Sequence, residues 1–286
     1  MNREILSTNL KALQINLDEN IYGTFAEIGG GQEVARNFFQ AGGASGTVAK
    51  TISAYDKLYS DRIYNEGSTG RYVSEDRLLK MLDTEYNELV YILGDKRGRN
   101  TCFFSFANTV VTLNYKKDNE AHGWLGVRFQ LRPGYPANEV ILHVKLLEQE
   151  TLLQQNTLGI LGVNLLYACF FYYQKPNTFL QSLLDNLSPG RVDITMIRMG
   201  GEGLNFVDNR LLAVQLVKNG MTKAVMFDRY GNVREPADML YNKNVLAFRG
   251  SFRPITYVGF DMLKVSYALF KRDKDYVVTN DGEIVI

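Results

Sequence analysis

The stretch NEVILHVKLLEQETLLQQNTLGILGVNLLYACFFYY, residues 138–173, decides the fold class. Its opening, NEVILHVKLL, is rich in β-branched and aliphatic side chains and predicts a strand. The run LGILGVNLLYACFFYY, 158–173, is interrupted only by Asn164. It falls short of the roughly 20 apolar residues needed to cross a bilayer, so it predicts a buried core helix. Downstream the pattern predicts a second helix containing FLQSLLDNL, a strand VDITMI (192–197), a helix NRLLAVQLVKNG (209–220), strands KAVMFD (223–228) and VLAFRG (245–250), and a helix near 258–271. Gly220 stands where a helix C-cap is expected. Such alternation implies right-handed crossovers and a mainly parallel sheet covered by helices.

Upstream of residue 138, TCFFSFANTVVTLNY and GWLGVRFQL predict two more strands, joined as a hairpin by KKDNEAHG (116–123), with RPGYPAN (132–138) turning into the third. The first 95 or so residues read as mainly helical. After the short apolar TFAEI, helical patterns run over 32–40, 47–64 and 75–93. In the last of these Leu78, Met81, Leu82, Tyr86, Leu89 and Leu93 share a face, and Ser74 is placed to cap it. No repeat, low-complexity tract or Pro-rich linker divides the chain. Residues 1–286 therefore read as one α/β domain, with a helical N-terminal part to about 95 and a mixed, mainly parallel sheet covered by helices from about 100 onward.

A hydrophobic content of 45% is ample for a core in a chain of 286 residues. With 32 basic and 31 acidic residues there is no net field to gather nucleic acid or an anionic membrane, and neither partner is expected. Cys102 and Cys169 sit in apolar stretches as buried thiols, not as a disulfide framework. The N-terminus MNREILSTNLKAL has no apolar core of a signal peptide, which makes a cytoplasmic location the expectation.

Three glycine-rich segments compete for a ligand. GGGQEV, from Gly29, spells G-x-G-x-x-V, with Val34 at the third small position and the acid about 20 residues on, Asp56, inside a helical pattern, so it is not a dinucleotide fingerprint. GGASGTVAKT has Ala49 where the P-loop requires glycine before its lysine. A helix beginning near Ser45 or Thr47 would still offer free N–H groups to an anion beside Gly46 and Lys50; the competing reading is a tight helical hairpin, with Gly42 and Gly43 ending one helix and Ser45 or Thr47 capping the next. The third, MGGEGLNFVDNR (199–210), follows a strand and precedes a helix, the place where open α/β sheets take ligands. It groups Gly200, Gly201, Gly203 and Asp208 with residues expected at the same edge, Asp228, Arg249, Ser251 and Arg253. Guanidinium groups beside a glycine loop suit phosphate or carboxylate; the competing reading is an Arg–Asp network that only holds loops.

His143 reads as a strand histidine with a satisfied hydrogen bond, and His122 stands at a hairpin tip. Two histidines and two buried cysteines give no metal-ligand spacing, so no metal is expected. No G-x-S-x-G elbow is present. Tyr55, Tyr59 and Tyr64 lie on or near one helix, a stripe that suits core or interface.

The segments TFAEIGGGQEVARNFFQAGGASGTVAKTISAYDKLYSDRIY, RYVSEDRLLKMLDTEY, FFSFANTVV, HGWLGVRFQ, LGILGVNLLYACF, VDNRLLAVQLV and RGSFRPIT resemble a family of uncharacterised bacterial proteins over nearly the whole chain. Members of that family carry the labels TonB-dependent receptor and nicotinate-nucleotide adenylyltransferase, and neither fits these residues. The first is a plugged 22-stranded barrel with an export signal. The second needs an H-x-G-H-type motif, approximated here only by HGWLG on a predicted strand. The resemblance implies no mechanism and no cofactor. The residues themselves point to a cytosolic α/β protein that binds a phosphorylated or nucleotide-like anion at the carboxyl edge of its sheet. The alternative is a homo-oligomeric scaffold without turnover.

Overall fold

The computed structural model describes residues 3–65, 67, 70–241, 243–250 and 254–273. Helix α1 (Thr8–Asn16) leads into β1 (Ile21–Ile28), α2 (Glu33–Ala41), β2 (Val48–Ile52), α3 (Lys57–Tyr64) and the long α4 (Glu75–Arg97). Then come β3 (Cys102–Val111), β4 (His122–Phe129), β5 (Asn138–Leu146), α5 (Thr151–Phe171), α6 (Pro176–Leu183), β6 (Val192–Gly200) and α7 (Asn209–Lys218). The described chain closes with β7 (Met226–Phe227), β8 (Val233–Arg234), α8 (Pro236–Met239) and α9 (Tyr257–Phe270).

Six strands form one sheet in the order β2-β1-β3-β4-β5-β6. Strand β1 pairs parallel with β2 and β3, whereas the β3–β4, β4–β5 and β5–β6 pairs are antiparallel. Strands β1, β2, β3 and β5 thus run one way and β4 and β6 the other, a mixed α/β sheet in which four of six strands share a direction. The parallel pairs lie among β1, β2 and β3, not in the C-terminal half where the alternation placed them. Two helices, α5 and α6, separate β5 from β6, and together they return the chain to the end it left, so that Val192 starts opposite Leu146.

The N-terminal part supplies two strands as well as helices. Residues 47–64 are not one helix: Val48–Ile52 is edge strand β2, and α3 begins only after Asp56, whose carboxylate accepts from the Tyr59 N–H. The β-branched residues of VAKTI outweigh the helical spacing. Residues 245–250 form no strand, and KAVMFD contracts to Met226–Phe227, paired with Val233–Arg234 in a small hairpin. Ser74 caps α4 as expected, accepting from the Arg77 N–H.

One face of the sheet buries α1, α2, α5 and α6, and the other α3, α4 and Val233 of β8. Helix α5 is the core helix foreseen from its apolar run, with Leu161, Val163, Leu165 and Leu166 buried. No described helix is long and apolar enough to cross a membrane. Cys102 and Cys169 are buried and free. Gly162 lets α2 approach α5: a Cβ there would lie 2.3 Å from Cγ2 of Val34. Gly162→Ala is expected to destabilise the chain by about 1–3 kcal/mol through overpacking. A urea midpoint equal to the parent's would show that α2 and α5 have room to part.

Candidate functional site

The GGEG loop is occupied by its own chain. Gly200 ends β6, and Gly201 adopts a φ of 112° against Asn138, whose Oδ1 would lie 2.6 Å from an added Cβ. The same Oδ1 accepts from the Gly203 N–H at 2.8 Å. Asp208 caps α7 and accepts from Nε and Nη2 of Arg210. Because β6 runs against β5, this loop sits beside the start of β5, at the opposite end of the sheet from the carboxyl ends of β1, β3 and β5. Arg249 lies exposed in the irregular 245–250 segment, and Ser251 and Arg253 fall outside the described residues.

The second cluster starts no α-helix. Ala44–Gly46 is a single 3-10 turn, Gly46 packs against the Asn16 carbonyl, and Thr47 is buried with its hydroxyl donating to the Ile15 carbonyl. Ser45 lies in that turn, and Lys50 on β2 is ion-paired to Glu85 at 2.7 Å and also to Glu88. The turn is short, and its lysine is already matched by two carboxylates. Gly42 does end α2 as foreseen, but a strand follows where the hairpin reading expected a helix.

The first cluster, GGGQEV, makes the tight turn from β1 into α2. Strand β1 lies between β2 and β3, so the carboxyl end of β1 is the topological switch point where such sheets take phosphates on a helix N-terminus. Here Glu27 fills that position. Its carboxylate accepts from the N–H groups of Val34 (3.2 Å) and Ala35 (2.9 Å) and from Nδ2 of Asn108 (3.1 Å). Burial pushes Glu27 up to about 7, partly relieved by these donors. The loop that follows is tight: a Cβ on Gly29 would lie 1.8 Å from the Val110 carbonyl oxygen.

A different set of groups converges on the face of β4, β5 and β6. In the antiparallel register Trp124 lies opposite His143 and His122 opposite Lys145, so all four side chains share one face and the two histidines are diagonal neighbours. Nδ1 of His122 is 3.1 Å from Nε2 of His143, and Nδ1 of His143 is 2.6 Å from the Thr195 hydroxyl. Thr195 is the extra residue of a bulge, for Met196 pairs with His143 and Ile194 with Val144, and the bulge aims its hydroxyl at the ring. Glu235, which caps α8, brings Oε1 to 3.6 Å from Nδ1 of His143. His143, Glu235 and Trp124 are all buried, and the Trp124 ring meets His143 edge-on at 4.9 Å.

Burial, reinforced by His122, Lys145 and Arg71, lowers His143 to about 3, and burial with Arg71 lowers His122. Burial raises Glu235. Both imidazoles are therefore neutral near pH 7, and each nitrogen acts as either donor or acceptor.

Beside this network lies a cleft of about 290 Å³ between the N-terminus of α4 and the β7–β8–α8 segment. Its lining includes Glu75, Asp228, Tyr230, Arg234, Glu235, Asp238 and Lys243, so Glu235 belongs to both the cleft and the histidine network. Arg71, just before α4, pairs with Asp238 and stacks on Tyr241 at 4.9 Å, tying this segment across the sheet. Asp228 accepts from the N–H groups of Tyr230 and Asn232 and from Nε of Arg234 at 3.0 Å. A larger groove of about 440 Å³ runs along the outer side of α2, lined by Glu33, Arg36 and Thr51 among others. It contains no buried titratable group, and Glu33 and Arg36 pair with each other, so the smaller cleft is the chemically equipped one.

No family model matches the chain, and no curated protein is significantly similar to it. Solved structures with weak similarity to the chain include the competence/damage inducible protein CihA from Agrobacterium tumefaciens, at 16% identity and a TM-score of 0.40, over 59% of this chain and 98% of that one. A CinA (competence-damaged protein) superfamily protein from Enterobacter cloacae aligns at 12% identity and 0.42, over 59% and 95%. A competence or damage-inducible protein from Enterobacter asburiae aligns at 14% and 0.39, over 59% and 99%.

Of the residues that form this site, Asp228 is visible in the sequence only as a companion of the glycine loop at 199–210, and His122 and His143 only as separate histidines. Glu235, Thr195, Trp124 and Arg234 are not. The only available signal is that His122 and His143 flank one predicted turn at positions that a hairpin brings onto one face.

Proposed function

We propose that the cleft between α4 and the β7–β8–α8 segment binds a small molecule of phosphorylated or nucleotide-like character. The observation that carries this reading is Arg234: Asp228 holds its Nε, which leaves the Nη donors, in a half-exposed side chain, for an anion. Lys243 lines the same cleft, and the exposed ring of Tyr230, whose one face carries the Arg229 guanidinium at 4.7 Å, offers its other face to a base. Asp228 is the sequence candidate this reading retains, as the group that orients Arg234. Gly200, Gly201, Gly203, Asp208 and Arg249 do not line the cleft. Thermal unfolding with nucleoside monophosphates and with inorganic phosphate tests the reading. A ligand at 100 times its Kd is expected to stabilise the parent by about 2.7 kcal/mol. The double variant Arg234→Ala, Lys243→Ala should lose that gain, and an equal gain in both proteins would remove the cleft from consideration.

A second reading, assembly of several copies of this chain, is favoured by α9. None of its residues is buried among the described residues, and Tyr257, Val258, Phe260, Met262, Val265 and Leu269 are exposed. A 14-residue helix is marginal in water without a packed face. Analytical ultracentrifugation at micromolar concentration is expected to give a species larger than 32.5 kDa that Phe260→Glu dissociates. A monomeric parent would end this reading.

A further inference from the structure

We infer that α9 carries a seam for the same helix of a second copy of this chain, the two packing antiparallel about a two-fold axis. The inference rests on the assembly reading and adds its surface and its geometry. Val258, Met262, Val265 and Leu269 recur at alternating steps of four and three residues, the spacing of apolar side chains along a two-helix seam. All four are more than half exposed among the described residues, from 52% for Val265 to 69% for Val258. The half-buried Leu263, Tyr267 and Phe270 lie on a neighbouring stripe of the helix, so the shielding that α9 receives leaves the seam open. Gly259 and Ser266 border the seam on one side and Asp261 and Ala268 on the other, short side chains that let two backbones approach.

Charge and area select a second copy as the occupant. An antiparallel pair sets Met262 of one copy against Val265 of the other, and Val258 against Leu269. Asp261 of each copy then shares a border with Lys264 of the other, displaced by about 3 Å along the axis, so the two opposite charges meet twice. A parallel pair instead faces Asp261 with Ser266 and leaves Lys264 in solvent. Nζ of Lys264 lies 4.7 Å from the centre of the Phe260 ring, so Phe260→Glu would offer it a carboxylate four positions back in its own helix and draw it away from the other copy. Each seam side chain offers on the order of 100 Å². Four from each copy, flanked by Tyr257 at 96% exposure, reach the roughly 1,000 Å² that a specific interface clears. A lipid surface fits less well, because helices lying in one are rich in Lys and Arg on the polar face, and α9 has Lys264 alone beside Asp261.

Sedimentation equilibrium on the full chain tests the seam. The parent is expected at twice 32.5 kDa at micromolar concentration. Val265→Glu should raise the dimer Kd at least tenfold and keep the parent's urea midpoint, since the side chain is exposed. Asp261→Lys and Lys264→Asp should each weaken self-association severalfold, and a mixture of the two chains should restore the dimer, a rescue that a parallel pair does not predict. A dimer as tight in Val265→Glu as in the parent, or a mixture no tighter than its components, overturns the seam and leaves assembly to another surface. A monomeric parent overturns the seam and the assembly reading together, and if that monomer floats with phosphatidylserine vesicles the occupant is lipid.

Discussion

The Glu27→Gln chain is expected to lose roughly 3 kcal/mol of stability between about pH 6.5 and pH 4.5, a window in which Glu27 and His143 together leave the parent nearly level. Glu27 is 1% exposed, and burial raises its carboxyl from 4.5 to about 7. Between those values the folded chain binds the extra proton, so Glu27 makes stability fall as pH rises. His143 has the opposite sign: burial and neighbouring positive charge lower it from 6.5 to about 3, so the unfolded chain binds the extra proton there. Its contribution is present above 6.5 and is lost as pH falls toward 3. Each slope is about 1.4 kcal/mol per pH unit, and where the windows overlap they offset each other. Glu235, raised, and His122, lowered, add a second opposing pair of the same signs. The substituted amide keeps a carbonyl acceptor for the α2 N–H groups, so any constant loss shifts the profile without tilting it. Urea midpoints across the window should slope in the variant and stay level in the parent; equal profiles would mean that Glu27 is ionised in the folded chain throughout.

Asp185→Ala is expected to cost about 3–5 kcal/mol, because it leaves a buried cation without its counter-ion. Lys11 is 0% exposed, and its Nζ donates to Asp185 at 2.6 Å and to Oδ1 of Asn164 at 2.7 Å. Arg3 grips the same carboxylate through both Nη atoms at 2.5 Å. Asn164 donates in turn to the carbonyls of Leu183 and Asp185, so one polar node joins the N-terminal segment, α1, α5 and the end of α6. Lys11→Met should cost less, since Arg3 still neutralises Asp185. The double variant Lys11→Met, Asp185→Leu is expected to recover part of the loss, because it removes both desolvated charges together. A guanidinium denaturation series on the three variants checks the order. An Asp185→Ala chain within 1 kcal/mol of the parent would show that Lys11 deprotonates or finds water when its partner is removed.

Asn164 also shows how much the sequence can tell. It is legible as the single interruption of an apolar helix, but its purpose depends on Lys11, 153 positions away. Residues whose role is local are legible in full: Ser74 caps α4, Gly42 ends α2, and the β-branched and aromatic runs in 101–147 form three strands. Strand direction is less accessible, because two helices between β5 and β6 look like an ordinary crossover until their lengths return the chain to its starting end. VAKTI misleads because five residues fit a helical window as readily as an edge strand. Composition draws attention to the glycine loops, yet Asn138 and Glu27 fill two of them, and both are remote from the motif logic that marks such loops. The histidine network depends on hairpin register, a β-bulge at Thr195 and a helix cap at Glu235, none of which has a motif.

Native mass spectrometry of protein freshly purified without added ligand tests the ligand cleft most directly. A reproducible non-protein mass on each 32.5 kDa chain, lost in the Arg234→Ala, Lys243→Ala variant, is the predicted result and would identify the ligand class. Bare chains or bare multiples of 32.5 kDa, together with no thermal response to nucleotides or phosphate, would contradict it and leave α9 as the surface that matters.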